Sequence, residues 1–212
     1  MKGWGINTSE LKSCLDALSL WDAAGEEMDL DMGFARLRDV TCQLRKAGNI
    51  LYFIGNGASA SMASHISADL AKNAHLHTRV FTDLSLITAL ANDLCYEEVF
   101  AEPLRRQLRP GDMLVAISSS GQSPNILRAA QEARSLGGLV VTLSAMKPDN
   151  PLRTMGIFNF YVAADTYGLA ETSHAAVLHF WVDQMVAVTQ PPIDLYRGVA
   201  MAGKGREFTD HA

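Results

Sequence analysis

His65 and Asp69 stand four residues apart, and Glu171, His174 and His179 gather in a short stretch near the other end of the chain. Carboxylates and imidazoles are the side chains that move protons near neutral pH, and the same groups ligate divalent metals. On a helix, His65 and Asp69 share one face, one turn apart. Glu171 and His174 are i,i+3 neighbours, whereas Glu171 and His179 lie roughly 80° apart around a helix and about 12 Å apart along it. A single ion held by both therefore needs an irregular first turn or residues from different subunits. Each group also has a plainer use. A histidine on an apolar helix serves as a hydrogen-bonded core residue, Asp69 as the partner of a lysine, and Glu171 as a complement to the helix macrodipole. Together they place two carboxylates and three histidines on helices, a set suited to proton transfer or to a divalent metal.

Two loops must position these groups. Asn49 to Ile54 is an apolar strand that runs into Gly55-Asn56-Gly57-Ala58-Ser59 and then a helix from Ala60 to Lys72, which carries His65 and Asp69. Gly55 and Gly57 permit positive φ and close approach of the backbone to a ligand. Further on, the apolar run Met113 to Ile117 ends in Ser118, Ser119, Ser120 and Gly121, with Ser123 as an N-cap and Pro124 as the first helical residue. A strand feeding a hydroxyl-rich loop and then a helix N-terminus is an anion cradle: free N–H groups, the positive end of the dipole and hydroxyl donors converge without a lysine or arginine. Either loop alone also reads as an ordinary strand-to-helix turn; two serine-bearing ones favour a phosphorylated ligand.

From Asn49 onward strands, near 50–54, 78–81, 113–117, 138–144 and 158–163, alternate with helices, near 59–72, 85–92, 96–107, 124–136 and 168–188. That alternation predicts a three-layer α/β fold: a mainly parallel, five-stranded sheet with helices on both faces and ligands beyond the carboxyl ends of the strands. Two helices precede it. The first spans Thr8 to Trp21, with Thr8 or Ser9 as N-cap and Leu11, Cys14, Leu15 and Leu18 as its apolar stripe; the second spans Leu30 to Lys46, with Gly48 as its stop. The expected organisation is a single domain, 1–212, made of an N-terminal helical extension (1–48), a core (49–190) and an irregular tail (191–212) that packs on a neighbouring subunit. Trp4, Trp21 and Trp181 read as packing residues, and His75, His77 and His211 receive no role.

Of the 212 residues, 48% are hydrophobic and 19% charged, which suits a globular chain with much buried surface, subunit interfaces included. The net charge of -5 argues against nucleic-acid binding through a basic face, yet leaves phosphate binding open, because local N–H dipoles decide that. No apolar run reaches membrane-spanning length and no basic, then apolar, leader opens the chain. The odd set Cys14, Cys42 and Cys95 reads as three reduced core thiols, and hence as a cytoplasmic protein.

The loops GNGAS (Gly55–Ser59) and SSSGQS (Ser118–Ser123) resemble those of the sugar isomerase (SIS) family, whose fold is flavodoxin-like. The likeness extends to the phosphoheptose isomerase branch. There a histidine and an acid four residues on follow the first loop, as His65 and Asp69 do here; an Asn-Asp pair matches Asn92-Asp93; and a final helix carries Gln or Glu with a histidine eight residues later, as Glu171 and His179. The match spans roughly residues 8 to 190. It implies a homotetramer whose active sites draw on adjacent subunits. It implies a bound zinc, and isomerisation of a phosphorylated ketose, sedoheptulose 7-phosphate, to D-glycero-D-manno-heptose 7-phosphate through an enediol. By the same resemblance, Ser59, Ser118, Ser119, Ser120 and Ser123 bind the phosphate. Asn56, Gly57, Asn92, Asp93 and Glu171 contact the substrate. His65, Asp69, Glu171 and His179 hold the metal, with Asp69 as base and His179 as acid. The longer reach of Glu171 keeps it open as the base instead. This chain departs from the branch in three places: the usual glutamate base is Asp69, the usual glutamine ligand is Glu171, and Gly168 stands near the place of an aspartate. The alternative is a non-catalytic phosphosugar-binding or protein-interaction regulator. Such relatives lose the acid on the first helix, so Asp69 favours the enzyme. A third reading is isomerisation of a different ketose phosphate.

Overall fold

The structure of the protein, a computed structural model, describes residues 2–189. The expected tail from 191 and His211 lie outside the described residues. The elements are α1 (Trp4–Asp16), β1 (Ser19–Trp21), β2 (Glu27–Met28), α2 (Leu30–Ala47), β3 (Ile50–Gly55), α3 (Ala58–Ala74), β4 (His77–Val80), α4 (Leu84–Asp93), α5 (Glu98–Gln107), β5 (Met113–Ser118), α6 (Pro124–Ser135), β6 (Leu139–Ala145), a 3₁₀ turn (Pro151–Thr154), β7 (Phe158–Val162) and α7 (Tyr167–Thr189).

The sheet order is β2-β1-β7-β6-β5-β3-β4. The five expected strands form its parallel part, β7-β6-β5-β3-β4. The runs of β3, β5, β6 and β7 are buried almost throughout because both faces are covered, whereas β4, His77-Thr78-Arg79-Val80 at the edge, is half exposed. On one face Leu51, Phe53, Met113, Val115 and Ile117 meet Ile66 and Leu70 of α3 and Trp181 and Met185 of α7. On the other, Tyr52, Ile54, Leu114 and Ala116 meet Val99 and Leu104 of α5 and Ile126 and Ala130 of α6. Register decides where the loops fall. Gly55 lies opposite Ile117, and Ser118 opposite Ser144, so β3, β5 and β6 end level and their loops share one edge.

The sheet has seven strands rather than five. Residues 19–21, expected in the first helix, form β1, which pairs antiparallel with β7 and with β2. Leu20 is thereby fully buried, and Trp21 lies against the Arg153 guanidinium, 3.6 Å from its ring centre. So the N-terminal segment contributes a hairpin to the sheet as well as helices. The first helix starts at Trp4 with Gly3 as N-cap, not at Thr8 or Ser9. Both hydroxyls bond back to the Gly5 carbonyl at 3.0 Å, the alternative open to such side chains inside a helix. Trp181 is a packing residue, but Trp4 is 79% exposed. Of the cysteines only Cys14 is a core residue; Cys42 is half-buried and Cys95 exposed, and all three are free thiols. No helix among the described residues is long and apolar enough to cross a membrane.

Candidate active site

The cradle is built from main chain first. A Cβ on Gly55 would lie 2.6 Å from the Ser59 carbonyl carbon, so only a glycine lets α3 begin directly over the end of β3. Gly57 is its N-cap, and Ser59 is buried in its first turn. At the end of β5 the chain turns through Ser118 to Gly121, closed by the Gly121 N–H on the Ser118 carbonyl at 2.9 Å. Gly121 sits at φ +62°, and a Cβ there would come 1.9 Å from Asn150 Oδ1. The Ala145 N–H donates to the Ser119 carbonyl (3.0 Å), and Leu152 N–H to that of Gly121 (3.2 Å), fastening the turn to its neighbours. Asn150 is buried and gives its own N–H groups to Ser144 Oγ and the Lys147 carbonyl.

The serines then converge. Ser123 caps α6 by position, but its hydroxyl pairs with Ser118 Oγ at 3.2 Å instead of the helix N–H groups. Ser120 Oγ accepts from the Gln122 N–H at 3.3 Å. Ser119 Oγ is buried without a hydrogen-bond partner among the described residues, an expensive condition for a hydroxyl unless something else meets it. These groups line a cavity of about 150 Å³ with Asn56, Ile117, Tyr167 and Glu171. Among the described residues its only charged lining residue is Glu171, so the attraction for an anion falls to the N-termini of α3 and α6.

The second group lies on α3 and α7, which pack on the same sheet face. His65 Nε2 is 3.4 Å from Asp69 Oδ2, and the His65 and His179 ring centres are 5.3 Å apart. His65, Asp69 and His179 each offer one ligand atom, all within 4.8 Å of one another. Two imidazoles and one carboxylate are a zinc-type donor set with room for a further ligand. Bonds of about 2.1 Å require tetrahedral donors about 3.4 Å apart, the spacing at which His65 Nε2 and Asp69 Oδ2 already stand. The residues therefore fit a divalent ion. Asp69 is paired with this histidine rather than with a lysine. The structure does not bring Glu171 into the group. The helix α7 is regular from Tyr167, which removes the irregular first turn as a way to unite Glu171 with His179. Asn92 and Asp93 end α4, exposed and bonded to each other at 2.9 Å, outside the cavity lining.

Between Glu171 and His179, the fully buried His174 bonds through Nε2–H to the Ser144 carbonyl at 3.1 Å, and burial lowers its pKa to about 4. It is a neutral strut from α7 to the edge that carries the serine turn. Sequence reasoning missed Tyr167, although its i,i+4 spacing from Glu171 places both on one helix face. It also missed Asn125, which exchanges amide hydrogen bonds with the remote Asn56, and Asn150, whose signal was local: an Asn-Pro step in which Asn150 caps the 3₁₀ turn by accepting from the Arg153 N–H at 3.1 Å.

Residues 22–145 match the SIS domain family. The chain is 33% identical to the phosphoheptose isomerase of Paramagnetospirillum magneticum over 74% of this chain and 85% of that protein. It is 37% identical to that of Mycobacterium tuberculosis over 63% of this chain and 71% of that one. In three dimensions it is similar to the phosphoheptose isomerase of Neisseria gonorrhoeae, with a TM-score of 0.71 at 22% identity over 85% of this chain and 95% of that one. With half the chain matched to the family model and a relative of this identity and coverage, the protein belongs to the SIS domain family, in its phosphoheptose isomerase branch.

Proposed function

We propose that this protein is an aldose–ketose isomerase that converts sedoheptulose 7-phosphate to D-glycero-D-manno-heptose 7-phosphate. The observation that carries the reading is the cavity of converging serines, in which the buried Ser119 hydroxyl is left for an anionic ligand to satisfy. The relatives named as phosphoheptose isomerases supply the sugar.

In this reading Ser59, Ser118, Ser119, Ser120 and Ser123 grip the distal phosphate, and that remote binding energy orients the reacting carbons. Asn56, Gly57, Asn92, Asp93 and Glu171 contact the sugar. Asp69 removes the proton from C1 of the ketose while His179 protonates the oxygen at C2, giving the enediol. The proton then returns to C2 as the oxygen at C1 loses its own. Glu171, whose carboxylate already lines the cavity, is the alternative base. His65, Asp69 and His179, with Glu171 from a second chain, would hold a divalent ion, zinc by its donor set, which when bound would supply Lewis-acid chemistry.

The assembly that unites the two groups is a homotetramer. Surface apolar residues support packing against other copies: Leu84 (73% exposed), Leu94 (55%) and Tyr96 (56%) around α4, and Phe180 (45%) and Val188 (47%) on α7. The free thiols fit the cytoplasm. The test is incubation with sedoheptulose 7-phosphate in deuterium oxide, followed by NMR. The aldose signal and deuterium at C2 are expected. Absence of both, with turnover of another ketose phosphate in a panel of different chain lengths, reassigns the substrate; no turnover at all overturns the enzyme.

A further inference from the structure

Asn56 and Asn125 face each other across the two loops. Asn125 Nδ2 donates to Asn56 Oδ1 at 2.9 Å, and Asn56 Nδ2 to Asn125 Oδ1 at 3.0 Å. Two amides paired in this way can be turned over together without losing either bond, so the pair alone does not set its direction. A third bond does. The backbone N–H of Ile126, shared with the Ser123 carbonyl, lies 3.0 Å from Asn125 Oδ1, and a backbone N–H only donates. That atom of Asn125 must be the oxygen. Its amide nitrogen then faces Asn56, and the Asn56 atom it meets must also be an oxygen. The Tyr96 hydroxyl, 3.4 Å from the same Asn56 oxygen, agrees as a donor. Both acceptor sites of that oxygen are filled, and one N–H of Asn56 remains without a partner among the described residues. Asn56 lines the cavity, whereas Asn125 is buried and does not.

We propose that Asn125 is a positioning residue: it locks the Asn56 amide so that the cavity meets its ligand there as a hydrogen-bond donor only. The group it selects is an oxygen lone pair, from the phosphate or from a sugar oxygen. A carboxamide free to turn would offer either polarity and would not exclude a donor on the ligand. This inference rests on the cavity being the phosphosugar site.

The experiment is a double-mutant cycle on the full chain with Asn56→Ala, Asn125→Ala and both together. Two measurements are made: binding of inorganic phosphate by calorimetry, and kcat and KM with sedoheptulose 7-phosphate. Asn125→Ala should weaken binding about tenfold, a loss carried by KM more than by kcat, and should add nothing in the Asn56→Ala background. Weaker binding of inorganic phosphate places the donor on the phosphate. A rise in KM with phosphate binding retained places it on a sugar oxygen. Asn125→Ala within about twofold of the parent in both measurements, or an effect of equal size with and without Asn56, overturns the proposal. Should Asn125→Ala not fold, Asn125→Asp keeps the oxygen that accepts from Ile126 but sets a second oxygen against Asn56. Its added charge repels an anion with or without Asn56, so only the part that vanishes in Asn56→Ala reports positioning, and no such part overturns the proposal. A parent protein that neither binds phosphate nor turns over the sugar overturns the cavity reading, and this inference with it. A parent that does both while the variants match it overturns this inference alone.

Discussion

The serine cradle and the histidine cluster are built in opposite ways. The cradle's polar groups are buried, with Ser59, Ser118 and Ser119 each 5% exposed, and its shape is held by main-chain bonds from β6 and from the segment that follows it. The cluster is carried by side chains on two helices, where His65 is 59% exposed and meets only Asp69 and the His179 ring among the described residues. A distal anion can be held by a rigid nest fixed during folding. Proton transfer needs groups that meet the reactive end of a ligand, and here those groups face outward from the chain that carries them. The difference teaches that a nest fixed by main chain and a cluster carried by side chains are ordered separately within one chain. In the proposed function a neighbouring copy closes the gap between them.

The sharpest way to break the comparison is to remove the chemistry and leave the grip. Asp69→Asn and His179→Ala should each lower kcat by about 10²–10⁴, the range for a lost general acid or base, while inorganic phosphate binding stays near that of the parent protein. Steady-state kinetics and calorimetry read the two quantities separately. A parallel loss of phosphate binding would mean that cradle and cluster are one unit.

How much of this was readable beforehand follows the same division. The inner parallel strands β3, β5 and β6 announced themselves as apolar runs because each is covered on both faces, whereas the edge strand β4 is polar and half exposed. Both cradle loops are continuous stretches of chain, so their hydroxyls and glycines could be read in order. His65 and Asp69 were readable as a helical pair. The hairpin of β1 and β2 was not: three-residue and two-residue strands are too short to show a period, and Leu18 continues the stripe of the first helix. The start of that helix was misplaced because hydroxyls at Thr8 and Ser9 look like caps, while the actual cap, Gly3, has no side chain to signal it. That His179 joins His65 while Glu171 joins the serines depends on how α7 crosses α3, a tertiary fact. Asn125 is a buried amide whose partner, Asn56, lies in the other loop, 69 residues away; Asn150, by contrast, stands in a readable Asn-Pro cap.

The helix shared by both regions gives the next largest effect. His174 is held neutral in the folded chain, its pKa lowered to about 4 by burial, against an unfolded value near 6.5. As pH falls below 6.5 the unfolded chain takes up a proton that the folded chain refuses. Its contribution to stability is therefore complete above about pH 6.5 and is lost progressively toward pH 4, by about 3 kcal/mol in total. Denaturation by guanidinium at pH 7 and pH 4.5 measures this loss. His174→Asn, less stable overall, should show a shallower fall over that window; an equal fall would remove His174 as its source. Within the cradle, Gly121→Ala combines an unfavourable positive φ with a clash at Asn150. It should cost about 2 kcal/mol of stability and most of the phosphate binding, while ion binding at the cluster persists.

The smallest effect separates stability from function inside the cradle. Ser119 Oγ is buried and has no partner among the described residues, so folding desolvates a hydroxyl with no bond from them in return. Ser119→Ala removes that cost and should stabilise the ligand-free protein by about 1 kcal/mol. The same change takes one donor from the bound anion and should weaken inorganic phosphate binding about tenfold. Thermal melts with and without phosphate read both halves: the variant should melt above the parent protein alone and gain less from added phosphate. A hydroxyl kept only for packing would give the reverse pattern, a lower melting point with an unchanged response to phosphate. That result would leave the cradle as rigid as described here but would take Ser119 out of its grip.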